Sequence, residues 1–257
     1  MRARQRHFNP VHAGANTSLD GRFISGLADD AAMSSWTGRA GSGLTPAQAT
    51  SGNQPKYKVA AINSLPGVYF DDAGTATSAK FFQVTTSVTS NAASYIAVTQ
   101  KSANVATATY ARVTSLWNTA NNAQTVGDYG STNSMLFIML ATDSFGGFNP
   151  SLAAFRNSAA LAAHSYTVGD NIIASSTIDG TTVTVAKNGI TATGTTSATA
   201  LNSDAWRIGA APYVSTGANG NMRGYVARLD FFISAIPAPL RRRCERSAAY
   251  CFKIACS

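Results

Sequence analysis

The stretch 171–194 constrains the fold more than any other part of the sequence. The dipeptides Asp179-Gly180 and Asn188-Gly189 divide it into three short segments, and both pairs tolerate the positive φ angles of type I′ turns between antiparallel strands. Between the turns, Thr182 and Val183 begin an alternation of polar and apolar side chains, which places the two kinds on opposite faces of a strand. The sequence therefore predicts a three-stranded ribbon whose apolar face packs on further sheet.

The rest of the chain repeats this pattern. Segments with strand character recur at intervals of roughly 10 to 15 residues, as in sandwiches and barrels. They are residues 23–25, 56–61, 67–71, 80–86, 95–100, 105–113, 135–140, 206–209 and 224–233. Residues 151–164 are rich in alanine, which favours a helix, but Asn157-Ser158 lies in the middle. We interpret this segment as a hairpin within a continuous sheet.

The ends of the chain differ from its body. Residues 1–18 show no periodicity and are predicted to form a basic arm, followed by a β-sandwich over 19–236. After Pro237 and Pro239, small and apolar residues recur with the period of an α-helix. Residues 237–257 are therefore predicted to form a basic amphipathic helix that covers part of a sheet.

The net charge of +8 is concentrated at these ends, because residues 7–239 carry 12 basic and 11 acidic side chains. A nucleic-acid interface combines basic residues with stacking aromatics along one element, and the body shows no such pattern, so we do not expect nucleic-acid binding. We expect the ends to dock on an acidic protein surface. The arginines predicted to dock are Arg2, Arg4, Arg6, Arg241, Arg242, Arg243 and Arg246.

The three cysteines, Cys244, Cys251 and Cys256, cluster near the C-terminus. An odd, clustered set is not a disulfide framework, and the histidines lie too far away in sequence to complete a metal site. We expect buried thiols in a reducing compartment, with no metal and no cofactor. No apolar run reaches the roughly 18 residues that span a bilayer, and no apolar segment follows the basic start, so we expect synthesis in the cytosol and no membrane partner.

A series of short motifs occurs in order between residues 19 and 254. It comprises Trp36 with Gly41, Pro55-Lys56-Tyr57, Pro66 to Asp71, Asp179-Gly180, Asn188-Gly189, Arg207-Ile208-Gly209, Gly224 to Ala227 and Leu240-Arg241-Arg242-Arg243. This series resembles the concanavalin A-like lectin/glucanase family, and most of all the laminin-G-like domains of bacteriophage virion proteins. The resemblance implies an all-β fold: an antiparallel two-sheet jelly-roll sandwich, concanavalin A-like, with a short C-terminal α-helix. The resemblance also implies that a ligand, where there is one, is met by loops at the rim or by the concave sheet face.

The sequence departs from the family at positions that matter for chemistry. The family often has Trp-x-Asp-x-Ser-Gly near its start, but Gly38 and Ala40 stand at the Asp and Ser positions here. Its glucanases use Glu-x-Asp-x-x-Glu on one strand, whereas the single glutamate of this chain, Glu245, falls in the predicted helix. Asp71 and Asp72 are adjacent and would point to opposite faces of a strand. We therefore expect no catalytic residues and no enzymatic activity.

Sugar binding requires exposed aromatic faces beside polar groups. The candidates in predicted loops are Tyr129, Phe145, Phe148 and Tyr213. A calcium ion, which we do not expect, would use Asp128 or Asp143 as an oxygen ligand. Each of these residues also fits a turn or the edge of a core. We expect the three tryptophans, Trp36, Trp117 and Trp206, to lie in the core.

Two functions remain open at this point. The first is a non-catalytic structural protein of a bacteriophage virion, in the capsid or in a tail or fibre, with other virion proteins as partners. The alternative is a carbohydrate-binding adhesin that recognises host surface glycans through the rim loops. Either would fit a symmetric homo-oligomer.

Overall fold

The structure, a computed structural model, describes residues 8–39, 41–71, 79–89, 92–103, 110–117, 135–141, 151–156, 163–195, 203–210 and 221–257. The strands of the described residues are β1 (Thr17–Asp20), β2 (Lys56–Ile62), β3 (Leu65–Asp71), β4 (Phe82–Val88), β5 (Ala92–Lys101), β6 (Tyr110–Trp117), β7 (Met135–Ala141), β8 (Ser151–Arg156), β9 (Ala163–Ser165), β10 (Ile172–Asp179), β11 (Thr182–Lys187), β12 (Ile190–Thr195), β13 (Ser203–Ile208) and β14 (Arg223–Phe232). Short 3-10 helices span Pro10–Ala13, Gly21–Phe23 and Ser51–Asn53, and the α-helix α1 spans Ala238–Phe252.

The strands form two antiparallel sheets. The larger sheet has the order β12-β11-β10-β5-β14-β3-β2, with β1 also paired to β14, and the smaller sheet has the order β4-β13-β6-β7-β8-β9. Strands β8 and β9 pair antiparallel, which confirms the hairpin expected from the alanine-rich segment. The prediction of an all-β, two-sheet antiparallel sandwich with a C-terminal helix is confirmed.

The ribbon that dominates the sequence forms the β10-β11-β12 edge of the larger sheet. Asn188 and Gly189 both have positive φ, 50° and 86°, as a type I′ turn requires. The other turn is shifted by one residue, because Asp179 pairs with Thr182. Its central residues are Gly180 and Thr181, and only Gly180 has positive φ, which is the pattern of a type II′ turn.

The core lies between the sheets and is organised by stacked aromatic rings. The ring of Phe231 lies 4.9 Å from that of Trp206 and 5.1 Å from that of Tyr95, and all three are fully buried. Trp36 is also buried and contacts Phe82. The core positions predicted for Trp36 and Trp206 are therefore confirmed, while the side chain of Trp117 lies outside the described residues.

Two predictions near the N-terminus need correction. Residues 17 and 18, the last two of the predicted arm, belong to the sandwich, because β1 pairs residue by residue with β14 from Thr17↔Phe231 to Asp20↔Arg228. Residues 23–25 are not a strand, since the chain turns there through the 3-10 helix Gly21–Phe23. A Cβ at Gly21 would lie 2.5 Å from the carbonyl oxygen of Pro66, so glycine allows this turn to approach β3 closely.

Helix α1 packs on the face of the larger sheet that points away from the core. Pro239 occupies its first turn, where a missing N–H costs nothing. The buried helix residues Cys244, Ala248 and Phe252 meet apolar residues of β5, β10 and β14. We call this region the covered half of the outer face, and its buried apolar strand residues are Ile62, Ile96, Val98, Ile173, Ala227 and Phe232.

Candidate functional site

The residues predicted to bind a ligand lie outside the part of the chain that the structure describes. Tyr129, Phe145, Phe148 and Tyr213 lie outside the described residues, as do Asp128 and Asp143 and the arm residues Arg2, Arg4 and Arg6. The rim-loop site and the docking role of the arm therefore stay predictions.

The helix arginines differ from one another. Arg241 is buried, and its Nε lies 3.6 Å from a carboxylate oxygen of Glu245, so its guanidinium is not presented to a partner. Arg243 is exposed and lies 4.6 Å from the ring centroid of Phe8. Arg242 and Arg246 are exposed. Docking by the helix stays a prediction for these three exposed arginines.

The only glutamate of the chain belongs to this helix, on the side that faces the sheet. Glu245 is buried, and it accepts a 2.6 Å hydrogen bond from the Ser175 hydroxyl of β10. Burial raises the pKa of its carboxyl, while the Ser175 hydrogen bond and the charge of Arg241 oppose that shift. Glu245 thus connects α1 to the larger sheet.

Beside the covered half, the outer face of the larger sheet presents a pair of tyrosines. Tyr69 of β3 and Tyr225 of β14 are directly opposite in the register. Their ring centroids lie 4.8 Å apart with an interplanar angle of 34°, and both residues are half-buried. Alternation explains their position, because their neighbours Val68 and Val226 point into the core.

Charged side chains surround the two rings. Two residues along each strand from the tyrosines, and so on the same face, Asp71 and Arg223 are opposite each other, with Oδ1 and Nε 3.6 Å apart. On the other side, the Tyr69 ring neighbours Lys56 of β2 in the register. The Tyr69 hydroxyl donates to Asp71 Oδ1 at 3.4 Å.

The loop before β2 adds two carboxylates to this surface. Lys58 Nζ donates to Asp30 Oδ2 at 2.7 Å and lies 3.9 Å from Asp29 Oδ2. Asp29 also accepts a 2.9 Å hydrogen bond from the Val59 amide. Both aspartates are about half exposed, so their remaining lone pairs face solvent. We call the surface made of Asp29, Asp30, Lys56, Lys58, Tyr69, Asp71, Arg223 and Tyr225 the tyrosine strip.

Electrostatics keep the strip charged at neutral pH. The hydrogen bond from Lys58 lowers the pKa of Asp30 and the same bond raises the pKa of Lys58. Burial, and after it the neighbouring Tyr69, raises the pKa of Tyr225, so its phenol stays protonated. The strip therefore offers ionised acceptors, cationic donors and neutral phenols next to two aromatic rings.

The tyrosine strip was not predicted as a site, although the sequence contains a pattern that places its two tyrosines on the outer face. Tyr69 and Tyr225 belong to the motifs Pro66 to Asp71 and Gly224 to Ala227, where a tyrosine alternates with apolar residues. Alternation would have placed each ring on the outer face. Their proximity depends on the pairing of β3 with β14, strands that are far apart in the chain.

The described residues contain neither a candidate metal site nor a helix that could span a membrane. No group of three or more His, Cys, Asp or Glu side chains lies close enough to hold a metal ion in this part of the chain. In the same residues, no helix has the length and apolar character to cross a membrane. All three cysteines are free; Cys244 is buried, and Cys251 and Cys256 are partly exposed.

Solved structures with a similar fold include sialidases and an arabinofuranosidase. No protein-family model and no curated protein sequence matches this chain. A Trypanosoma rangeli sialidase in complex with sialic acid is similar with a TM-score of 0.59 and 12% identity, over 92% of this chain and 33% of the sialidase chain. A GH54 α-L-arabinofuranosidase soaked with a cyclic sulfate inhibitor has a TM-score of 0.55 and 10% identity, over 93% of this chain and 63% of that chain.

A second T. rangeli sialidase structure, a covalent intermediate with 2,3-difluorosialic acid, is similar with a TM-score of 0.52 and 10% identity, over 92% of this chain and 33% of that one. At such identities the likeness shows the shared sandwich fold. This chain spans about one third of the sialidases and under two thirds of the arabinofuranosidase.

These comparisons overturn the first function expected from the sequence. The prediction of a non-catalytic structural protein of a phage particle is wrong, because the similar solved structures named above are glycoside hydrolases. The prediction that the chain is not an enzyme is wrong for the same reason. That prediction rested on the absence of the Glu-x-Asp-x-x-Glu motif. The absence of this motif excludes one catalytic route but does not exclude glycoside chemistry on this fold.

Proposed function

We propose that this chain binds carbohydrate through the tyrosine strip, as a concanavalin A-like domain of a glycan-processing protein. The observation that carries the proposal is the Tyr69–Tyr225 pair, whose partly exposed rings are held 4.8 Å apart at the border of the apolar cluster under α1. Sugars are amphipathic: their C–H faces pack on aromatic rings while their hydroxyls need donors and acceptors.

The strip supplies both kinds of contact. The two rings form the apolar surface, and Asp29, Asp30 and Lys58 provide acceptors and a donor at its edge. Rigidity favours binding as well, because the rings belong to paired strands and lose little freedom when a ligand arrives.

The comparisons support the second part of the proposal. The shared fold belongs to proteins that act on glycosides, and this chain matches only a domain-sized share of the sialidases. A domain of this kind would hold a glycan chain near the reacting bond, which raises the local substrate concentration.

The test is a binding screen with matched variants. The purified protein is run through gels containing neutral polysaccharides of different linkage, and retardation is compared with Tyr69→Ala, Tyr225→Ala and Tyr250→Ala. Tyr250 is 70% exposed on α1 and is not part of the strip, so it serves as the control tyrosine. Loss of a buried ring contact is worth about 1.5–3 kcal/mol, so the first two variants should weaken binding by about tenfold or more.

Retention of binding by both strip variants would contradict the proposal, as would equal loss in Tyr250→Ala. Release of reducing sugar is measured on the same polysaccharides. Turnover that disappears in Tyr225→Ala would show that the strip takes part in a reaction as well as in binding.

A further inference from the structure

A second surface on the outer face combines aromatic rings with arginines. A cavity of about 440 Å³ opens between the N-terminal segment, the 3-10 helix Gly21–Phe23 and the end of α1. We call it the arginine pocket, and its lining residues are Phe8, Arg22, Phe23, Arg39 and Cys251. This volume lies within the range of small-molecule sites.

The carboxylates nearest to the arginine pocket are already engaged. Asp20 holds Arg22 through two parallel hydrogen bonds, Nε to Oδ1 at 2.9 Å and Nη2 to Oδ2 at 2.6 Å. Asp230 accepts from Arg228 Nε at 3.0 Å and from the Ser18 hydroxyl at 2.6 Å. Two carboxylates therefore neutralise two arginines.

Arg39 is the third cation of this cluster and has no such partner. Among the described residues, no carboxylate lies within 4.0 Å of its guanidinium, and its side chain makes one long hydrogen bond, 3.5 Å from Nη1 to the Phe8 carbonyl oxygen. Burial, and next the charge of Arg228, lowers the pKa of Arg39. The charges of Asp20 and Asp230 oppose this shift, but each of these carboxylates is paired with another arginine, so the pocket keeps an excess positive charge.

An aromatic ring holds the guanidinium in place. Arg39 lies 4.7 Å from the ring centroid of Phe23, and Arg22 lies 5.9 Å from the same ring. Phe23 is 58% exposed, so much of its surface faces the solvent. A planar guanidinium stacked on an aromatic ring keeps its N–H groups in a fixed plane, which suits the two oxygens of a carboxylate.

We infer that the arginine pocket binds the carboxylate of an acidic sugar, with Arg39 as its principal ligand and Phe23 as the ring on which the sugar packs. The sugar part of this inference rests on the carbohydrate binding proposed above, whereas the carboxylate part does not. The pocket would add selectivity for uronic-acid units to the tyrosine strip.

The test uses Cys251 as a reporter of occupancy. The full chain is treated with iodoacetamide in the presence of glucuronate, glucose or acetate at equal concentration and ionic strength, and alkylation of each cysteine is followed by peptide mass spectrometry. Cys256 is the internal control, because it is partly exposed and lies beside Gly189, outside the pocket. Glucuronate affinity is measured in parallel by calorimetry.

We expect glucuronate to slow alkylation of Cys251 and to leave Cys256 unchanged, with little effect of glucose or acetate. Arg39→Gln should weaken glucuronate binding by about tenfold or more, since hydrogen bonds to charged groups are worth roughly 1.5–3 kcal/mol. Arg246→Gln, which removes an exposed arginine of α1 outside the pocket, should bind as the unmodified chain does.

Three results would overturn the inference: no calorimetric binding of glucuronate, equal protection by acetate, or an equal loss of affinity in both variants. If Arg39→Gln does not fold, the inference is still tested by whether glucuronate protects Cys251 of the unmodified chain from alkylation. Neutral glycans that bind the tyrosine strip while glucuronate fails to bind would refute the pocket alone, and the reverse result would refute the strip alone.

Discussion

The two halves of the larger sheet's outer face are built from neighbouring strands but completed in different ways. On the covered half, α1 buries apolar side chains, and the charges beneath it form close pairs such as Arg228 with Asp230. On the open half, Tyr69 and Tyr225 remain partly exposed, and the ion pairs around them reach solvent. The first half is organised for stability, and the second has the features of a surface that contacts a ligand.

This contrast predicts that substitutions in the covered half change folding and those in the open half change binding. The largest effect is expected for Phe252→Ala. Phe252 is fully buried between α1 and the sheet, and removing a buried phenyl ring costs about 3–5 kcal/mol. The free energy of unfolding is measured by urea denaturation. A loss below about 1 kcal/mol would show that α1 is not integral to the fold.

A smaller and pH-dependent effect is expected for Glu245→Gln. Burial raises the pKa of Glu245 above its ordinary value of 4.5, so the folded state binds more protons than the unfolded state above that pH, and stability falls as the pH rises. Glutamine does not titrate, so the stability of the variant does not fall with pH through this position. The cost of leaving Arg241 without its carboxylate does not depend on pH, so the slope reports Glu245 alone.

The measurement for Glu245→Gln is the free energy of unfolding of both proteins from pH 4 to pH 7. The unmodified chain should lose stability relative to the variant across this range. Parallel curves, or a relative gain by the unmodified chain, would mean that burial does not raise the pKa.

Tyr225→Ala tests the open half and should destabilise the protein by only about 1 kcal/mol, the upper range for a cross-strand pair. Urea denaturation of this variant is compared with that of Phe252→Ala. A loss as large as that of Phe252→Ala would remove the distinction between the two halves, since the tyrosine pair would then be a structural element.

The smallest effect on stability is expected for Asp30→Asn. The Asp30 carboxylate is about half exposed in its pair with Lys58, and exposed ion pairs contribute little because solvent screens them. The thermal unfolding midpoint should not change measurably, while neutral-glycan affinity should fall as an acceptor is weakened. A clear drop in the midpoint with unchanged affinity would assign Asp30 to the fold.

The sequence predicts the fold well where signals are local. The turn at Asn188-Gly189, the alternation through Val183 and the helical period after Pro237 depend on residues close together in the chain. Strand β1 was missed because its four residues are all buried and show no alternation. Its identity as a strand depends on pairing with β14, which no local pattern encodes.

The candidate site was harder to predict for the same reason. Aromatic residues in predicted loops were taken as the ligand-binding candidates because loops are usually exposed. The tyrosine pair instead lies within strands. Which face of a strand is covered depends on where α1 packs, and the amphipathic pattern predicts that a helix covers a sheet but not which half. The arginine pocket likewise joins Phe8, Arg39 and Cys251 from three distant segments.

The central claim is that the tyrosine strip, on the open half of the outer face, binds neutral sugar. It is tested most directly by following the tyrosine ring resonances of the ¹³C-labelled protein during titration with the neutral oligosaccharide that binds best in the gel screen. We predict that the resonances of Tyr69 and Tyr225 shift in a saturable manner while that of Tyr250 stays in place. Saturable binding that leaves both strip tyrosines unchanged would contradict the account.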